Sequence, residues 1–122
     1  MRNSKLGRLY RDGEIVINKG DEGTCLFVIQ EGKVEVFDEN GGSEVKIAEL
    51  GASEFFGEMG LFEKDVRSCT VRAKGNAKIL TIDKKNFYKT IQKDPTLAYR
   101  LLQKMSFRLR ELNKKVIQSE ST

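Results

Sequence analysis

Glycine is distributed so unevenly along this chain that it divides the fold in two. All 11 glycines lie between Gly7 and Gly75, and none occurs in the rest of the 122 residues. Glycine serves tight turns and weakens helix interiors. The first part therefore reads as short strands joined by turns, and the second as helix. No linker-like stretch separates them, and a chain of this length is expected to form one domain.

Within the first part, residues 14–18 alternate Ile15 and Ile17 with polar neighbours, as a half-buried strand does. Residues 20–23, Gly-Asp-Glu-Gly, read as a turn. Residues 25–29, Cys-Leu-Phe-Val-Ile, form a nearly continuous apolar run, as in a strand buried on both faces. Glu31-Gly32 is expected to turn the chain, after which Val34 and Val36 alternate again. Asn40-Gly41-Gly42 is a strong hairpin signal. Val45, Ile47 and Leu50 follow, and residues 77–82 supply one more strand. Short strands at this spacing predict a sandwich or barrel.

The second part carries helix signals. Asp83 can cap a short helix reaching about Lys93. Asp94-Pro95 ends it, and Pro95 suits the first turn of the next helix. Residues 98, 102, 105, 109, 112 and 116 are Ala, Leu, Met, Leu, Leu and Val, a heptad seam. Such a stripe can pack on the domain itself or join two copies as a homodimer. Leu101 widens the stripe enough to allow both.

Charge follows the same division. Residues 1–83 carry 12 Lys and Arg against 15 Asp and Glu, a net of −3; residues 84–122 carry 10 against 3, a net of +7. The basic surplus belongs to the predicted helices, where it fits a solvated surface. The chain has no histidine, which excludes Ser-His-Asp and Cys-His nucleophile systems and His-ligated metal sites. No metal site and no catalytic function are expected. Cys25 and Cys69 each sit in an apolar run and are expected to be reduced core residues. No apolar run is long enough to span a membrane, and the first residues lack the apolar core of a secretory signal. A cytoplasmic location is the expectation.

Chemistry concentrates in residues 55–73, FFGEMGLFEKDVRSCTVRA. Glu58 stands nine residues before Arg67, with an apolar turn and a polar loop between them. A carboxylate can accept from sugar hydroxyls, and a guanidinium can grip a phosphate. The turn after Gly57 can offer backbone N–H groups to an anion, as helix N-termini do. Together these could hold one small ligand bearing both groups. Phe55, Phe56, Leu61 and Phe62 read as core, Arg72 as a solvated strand residue, and Gly20, Gly23 and Gly32 as turn glycines with no ligand role.

This segment resembles the phosphate-binding cassette of cyclic nucleotide-binding domains, the module of catabolite-activator-type transcription factors, cyclic-nucleotide-dependent kinases and cyclic-nucleotide-gated channels. GDEGTCLFVIQEGKVEVF, residues 20–37, also resembles the family's GDxGxxxYxIxxGxVxV stretch. The resemblance extends from about Tyr10 to Val116. It implies an α+β, mainly β fold: an eight-stranded jelly-roll-like β-roll over about 7–83, a short cassette helix, and C-terminal helices over 84–118. It implies that Glu58 binds the ribose 2′-hydroxyl, that Gly57 lets the backbone approach the sugar, and that Arg67 and Ser68 hold the exocyclic phosphate. Met59 and Cys69 belong to the same cassette. Val36, Ile47, Leu50 and Val71 match strand positions that cover ribose and base, and Leu112 and Asn113 fall where some members contact the base from the last helix. Arg108 and Arg110 could reach the pocket from the same helix. Two positions depart from the family pattern: Ser53 replaces a common glycine and Val66 a frequent proline.

The function this implies is a non-catalytic sensor of a cyclic purine nucleotide, cyclic AMP with cyclic GMP as the alternative. It would signal through its C-terminal helices, hinged near residues 83–95. Cyclic AMP is favoured because the cassette, down to GLFE, is closest to that of the bacterial activators. Other function classes compete. The chain could be a degenerate domain of the same fold that only mediates protein contacts, or the sensor half of a transcription factor without its DNA-binding part. Nucleic-acid binding by the basic helix is disfavoured, because no recognition helix is expected in these 122 residues.

Overall fold

A computed structural model describes residues 7–62 and 65–120. In chain order the elements are β1 (Arg8–Tyr10), β2 (Ile15–Ile17), β3 (Glu22–Gly23), β4 (Leu26–Asn40), β5 (Ser43–Leu50), β6 (Phe55–Phe56), α1 (Met59–Phe62), β7 (Asp65–Val66), β8 (Thr70–Ile82), α2 (Lys84–Lys93) and α3 (Thr96–Glu120). This is the mainly β fold with C-terminal helices that the sequence implies. The chain divides into two compact units between Lys84 and Lys85.

In the first unit, six strand segments form one antiparallel sheet and β3 pairs with β7 in a second. The ladder between β4 and β8 organises the larger sheet, running from Leu26 opposite Ile82 to Phe37 opposite Thr70. β1 and β2 pair with β8; β5 and β6 pair with β4. Ile29, Val34, Val71, Ala73, Ala77 and Ile79 from the ladder form the core with Tyr10, Ile17 and Phe56. Leu26, Ile29, Val34 and Ile79 are wholly buried, each worth about 1.5–3 kcal/mol of transfer free energy.

Two expected breaks are bulges instead. Gly32 does not end a strand: β4 continues through it, with register shifts on both sides of Glu31. Its φ is +85°, and a β-carbon there would overlap the Asn76 carbonyl of β8. β8 likewise continues through Gly75 at φ +74°, so 77–82 is not a separate strand. A bulge uses glycine for the same left-handed backbone that a turn does. The 20–23 turn is also partly strand, since Glu22–Gly23 pairs with Asp65–Val66. Leu26 and Ile29 are buried, but Phe27 and Val28 between them are only half-buried, and Cys25 and Cys69 are half-buried free thiols rather than core. Asn40-Gly41-Gly42-Ser43 is the expected tight hairpin, with positive φ at both central glycines.

Arg72 is not merely a solvated residue. Its Nε donates to Glu35 at 2.7 Å and its two terminal nitrogens to Glu44 at 3.1 and 3.0 Å, and its guanidinium lies 4.1 Å from the Phe37 ring centre. Beside it, Lys46 and Lys74 each reach Glu49 at 2.7 Å. Their hydrogen bonds, Lys46 first, hold the Glu49 carboxyl at about 2, below its ordinary 4.5.

Of the two C-terminal helices, α2 begins directly after Asp83 and α3 directly after Pro95. The Asp94 carboxylate accepts from the Thr96 N–H at 3.1 Å, a cap that the sequence assigns only to Asp83. On α3, Leu97 and Leu101 are buried. Of the heptad seam, Ala98 and Met105 are half-buried, while Leu102, Leu109 and Leu112 are 68%, 62% and 57% exposed. The side chains of Val116 and of Phe62 lie outside the described residues.

Two outcomes are expected. Ser53 is the one non-glycine residue with positive φ (75°) among the described residues, and its N–H donates to the Ile29 carbonyl at 2.8 Å. Ser53→Val forces a β-branched residue into that backbone and should cost more than about 1 kcal/mol in chemical denaturation, whereas Ser53→Gly should cost much less. Because Glu49 has a lowered pKa, its contribution to stability is complete above pH 4.5 and disappears as pH falls towards about 2. Denaturation midpoints should therefore fall more steeply across that window in the parent chain than in Glu49→Gln.

Candidate functional site

The cassette is anchored by Phe55, Phe56 and Leu61, each 5% exposed or less. β6 ends at Phe56, and Gly57 turns the chain at φ +75°. The N–H groups of Gly60 and Leu61 then donate to the carbonyls of Gly57 and Glu58 at 3.2 and 3.1 Å. Those bonds form the single turn of α1. They also withdraw two of the N–H groups that the sequence assigned to an anion site. Glu58, at the entry to the turn, is 2% exposed.

Arg67 follows β7 and is 7% exposed. Its backbone is fixed on both sides: its N–H donates to the Asp21 carbonyl and its carbonyl accepts from Gly20, each at 2.8 Å. Its side chain is fixed as well. Nη1 donates to the Gly57 carbonyl at 3.0 Å and Nη2 to the Cys25 carbonyl at 2.9 Å, with the Phe27 ring centre 5.8 Å away. The Gly57 carbonyl thus serves the α1 turn and Arg67 together, tying the two ends of the cassette to one atom. Two buried side chains of opposite charge result, on adjoining backbone. A carboxylate has about four acceptor positions and a guanidinium has five N–H donors, so each is a group that can serve several partners.

The other expected site residues are placed less uniformly. Met59 is 38% exposed. Ser68 is exposed, with its Oγ 3.9 Å from the half-buried Cys69 sulfur. Val36 and Leu50 are half-buried against the core, and Val71, opposite Val36 in the ladder, is 4% exposed within it. Ile47 is the extra residue of a β4–β5 bulge and is 55% exposed. Asn113 is exposed on α3, in the second unit.

The structure adds residues 20–25 to the site, which the sequence reads as turn and strand within the 20–37 stretch that resembles the family, with no ligand role. Asp21 and Cys25 hold Arg67 through their carbonyls, and Gly23 leaves room for its guanidinium. The spacing of the glycines on either side of Asp21 was the visible signal, but nothing local ties it to an arginine 42 residues beyond Cys25.

Comparison with known proteins agrees with this geometry. The profile of the family described as cyclic nucleotide-binding domain matches residues 7–94. The chain is 34% identical over 105 residues to the cyclic AMP receptor protein of Thermus thermophilus, covering 85% of this chain and 49% of that protein. It is 40% identical over 80 residues to the cAMP-dependent protein kinase regulatory subunit of Blastocladiella emersonii, covering 64% of this chain and 20% of that protein. The crystal structure of Thermus thermophilus catabolite activator protein superposes with a TM-score of 0.78 at 32% identity, over 93% of this chain and 54% of that one. The chain thus spans about half the length of the receptor it matches, and less of the kinase subunit. In fold, cassette and sequence alike, the chain belongs to the cyclic nucleotide-binding domain family.

Proposed function

We propose that this chain is a non-catalytic, cytoplasmic sensor domain that binds a cyclic purine nucleotide, cyclic AMP in preference to cyclic GMP. One observation carries the reading: Glu58 and Arg67, two buried and oppositely charged side chains, share the backbone of one cassette. Arg67 supplies charge-assisted hydrogen bonds to the phosphate. Glu58 accepts a ribose hydroxyl in addition to the contacts it has in the protein. Ser68, exposed beside Arg67, donates to the same phosphate, with Met59 and Cys69 at the edge of the cassette. Val36, Ile47, Leu50 and Val71 supply apolar cover to the sugar and base. The preference for cyclic AMP draws on the relatives, whose names include a cyclic AMP receptor and a cAMP-dependent kinase subunit.

With no reaction to perform, such a domain acts by shifting populations. A ligand that prefers one arrangement of the C-terminal helices by about 10-fold shifts the equilibrium by about 1.4 kcal/mol. The exposed Leu102, Leu109 and Leu112 favour α3 as the contact with a second copy of the chain.

Calorimetric titration with both nucleotides tests the binding. Arg67→Ala should weaken binding by roughly 2–5 kcal/mol, because the phosphate would be desolvated without its partner. Unchanged affinity in that variant would sink the assignment, and tighter binding of cyclic GMP would reverse the preference. For the helix contact, sedimentation should show a dimer that Leu109→Glu converts to monomer. A parent chain that sediments as monomer with and without nucleotide would remove that part of the proposal.

A further inference from the structure

Gly23 has an unusual reason to be glycine. Its φ is not among the positive values, so its backbone suits any L-residue. What forbids a side chain is space: a β-carbon at Gly23 would overlap Nε, Cζ and Nη2 of Arg67. Gly60 is packed against the same residue, since a β-carbon on Gly60 would come 2.9 Å from the Gly23 carbonyl oxygen. The strand at Gly23 is therefore bounded by α1 as well as by the guanidinium. A flexible side-chain end moves at lower cost than backbone. A methyl group at position 23 would accordingly dislodge Arg67 from the Cys25 and Gly57 carbonyls rather than unfold the strand.

We propose that Gly23 is a positioning residue for ligand binding: its missing side chain is the slot in which the Arg67 guanidinium is oriented before ligand arrives. This rests on Arg67 being the phosphate-binding group. An arginine held by two carbonyls has already lost much of the rotamer freedom that binding would otherwise remove. Releasing it should weaken binding of the cyclic nucleotide by about 10-fold, the scale of one immobilised flexible side chain.

The test uses the full chain and three variants, Gly23→Ala, Arg67→Ala and the double substitution. In ligand-free protein, the Arg67 Nε–Hε NMR signal, assigned by its loss in Arg67→Ala, should be dispersed in the parent and collapse to the solvent-exposed position in Gly23→Ala. Titration with cyclic AMP should show the 10-fold loss in Gly23→Ala, and less than about 2-fold further loss when the substitution is added to Arg67→Ala. If Gly23→Ala lowers the melting temperature, adding Arg67→Ala should recover part of the loss, because it removes the colliding group. An unmoved Arg67 signal, or an equal loss of affinity in both backgrounds, overturns the proposal. If the parent binds neither nucleotide, the proposed function fails, while the NMR signal and the melting cycle still decide whether Gly23 places Arg67.

Discussion

The antiparallel ladder between β4 and β8 is the contact on which the other elements depend. It supplies the fully buried Ile29, Val34 and Ile79, and every other strand of the larger sheet is attached to one of its two members. The site is built from the segments that lead into the ladder's two strands. β4 starts just after Cys25, and β8 starts just after the segment that holds Arg67. In the antiparallel register these two starts fall at opposite ends of the ladder, Leu26 opposite Ile82 and Thr70 opposite Phe37, so the ladder alone does not bring Cys25 to Arg67. The small β3–β7 sheet does, pairing Gly23 with Asp65 and making the corner where the Cys25 carbonyl meets the Arg67 guanidinium.

At that corner, glycines act through absence in two different ways. Gly57 needs its positive φ to turn the chain into α1, and it also leaves Arg67 Nη1 within reach of its carbonyl. Gly23 and Gly60 need no special backbone; they allow three segments to meet without side chains between them. Buried charge is costly unless satisfied by hydrogen bonds. The carbonyls exposed by this close packing are what make a nearly buried arginine tolerable before any ligand is present.

Much of this was legible in the sequence, and the parts that were not share one cause. The glycine boundary at Gly75, the two-residue hairpin at Gly41-Gly42 and the Asp94-Pro95 break are local signals, and local physics decided them. Gly32 was misread as a turn because a bulge and a turn ask the same φ of glycine; only the approach of Asn76 from β8 separates them. Arg72 looked solvated because its partners, Glu35 and Glu44, come from two other strands. Glu58 and Arg67 were visible as a pair through their spacing. The carbonyls that hold Arg67 were not, because backbone oxygens have no letter in a sequence.

The register of the ladder bears on how the chain reaches this state. The β4–β5 hairpin closes over two residues and can form early from local contacts. The β4–β8 ladder joins residues as distant as Leu26 and Ile82, so it must first overcome the entropy of closing a long loop, the step that slows folding of β-rich domains. Cys25 and Arg67, 42 residues apart, meet through the pairing of β3 with β7, a long-range closure of the same kind. A chain halted at the hairpin would hold one strand of the ladder and no recognition site at all. Ligand competence is thus a marker of the last, long-range stage of folding rather than of secondary structure.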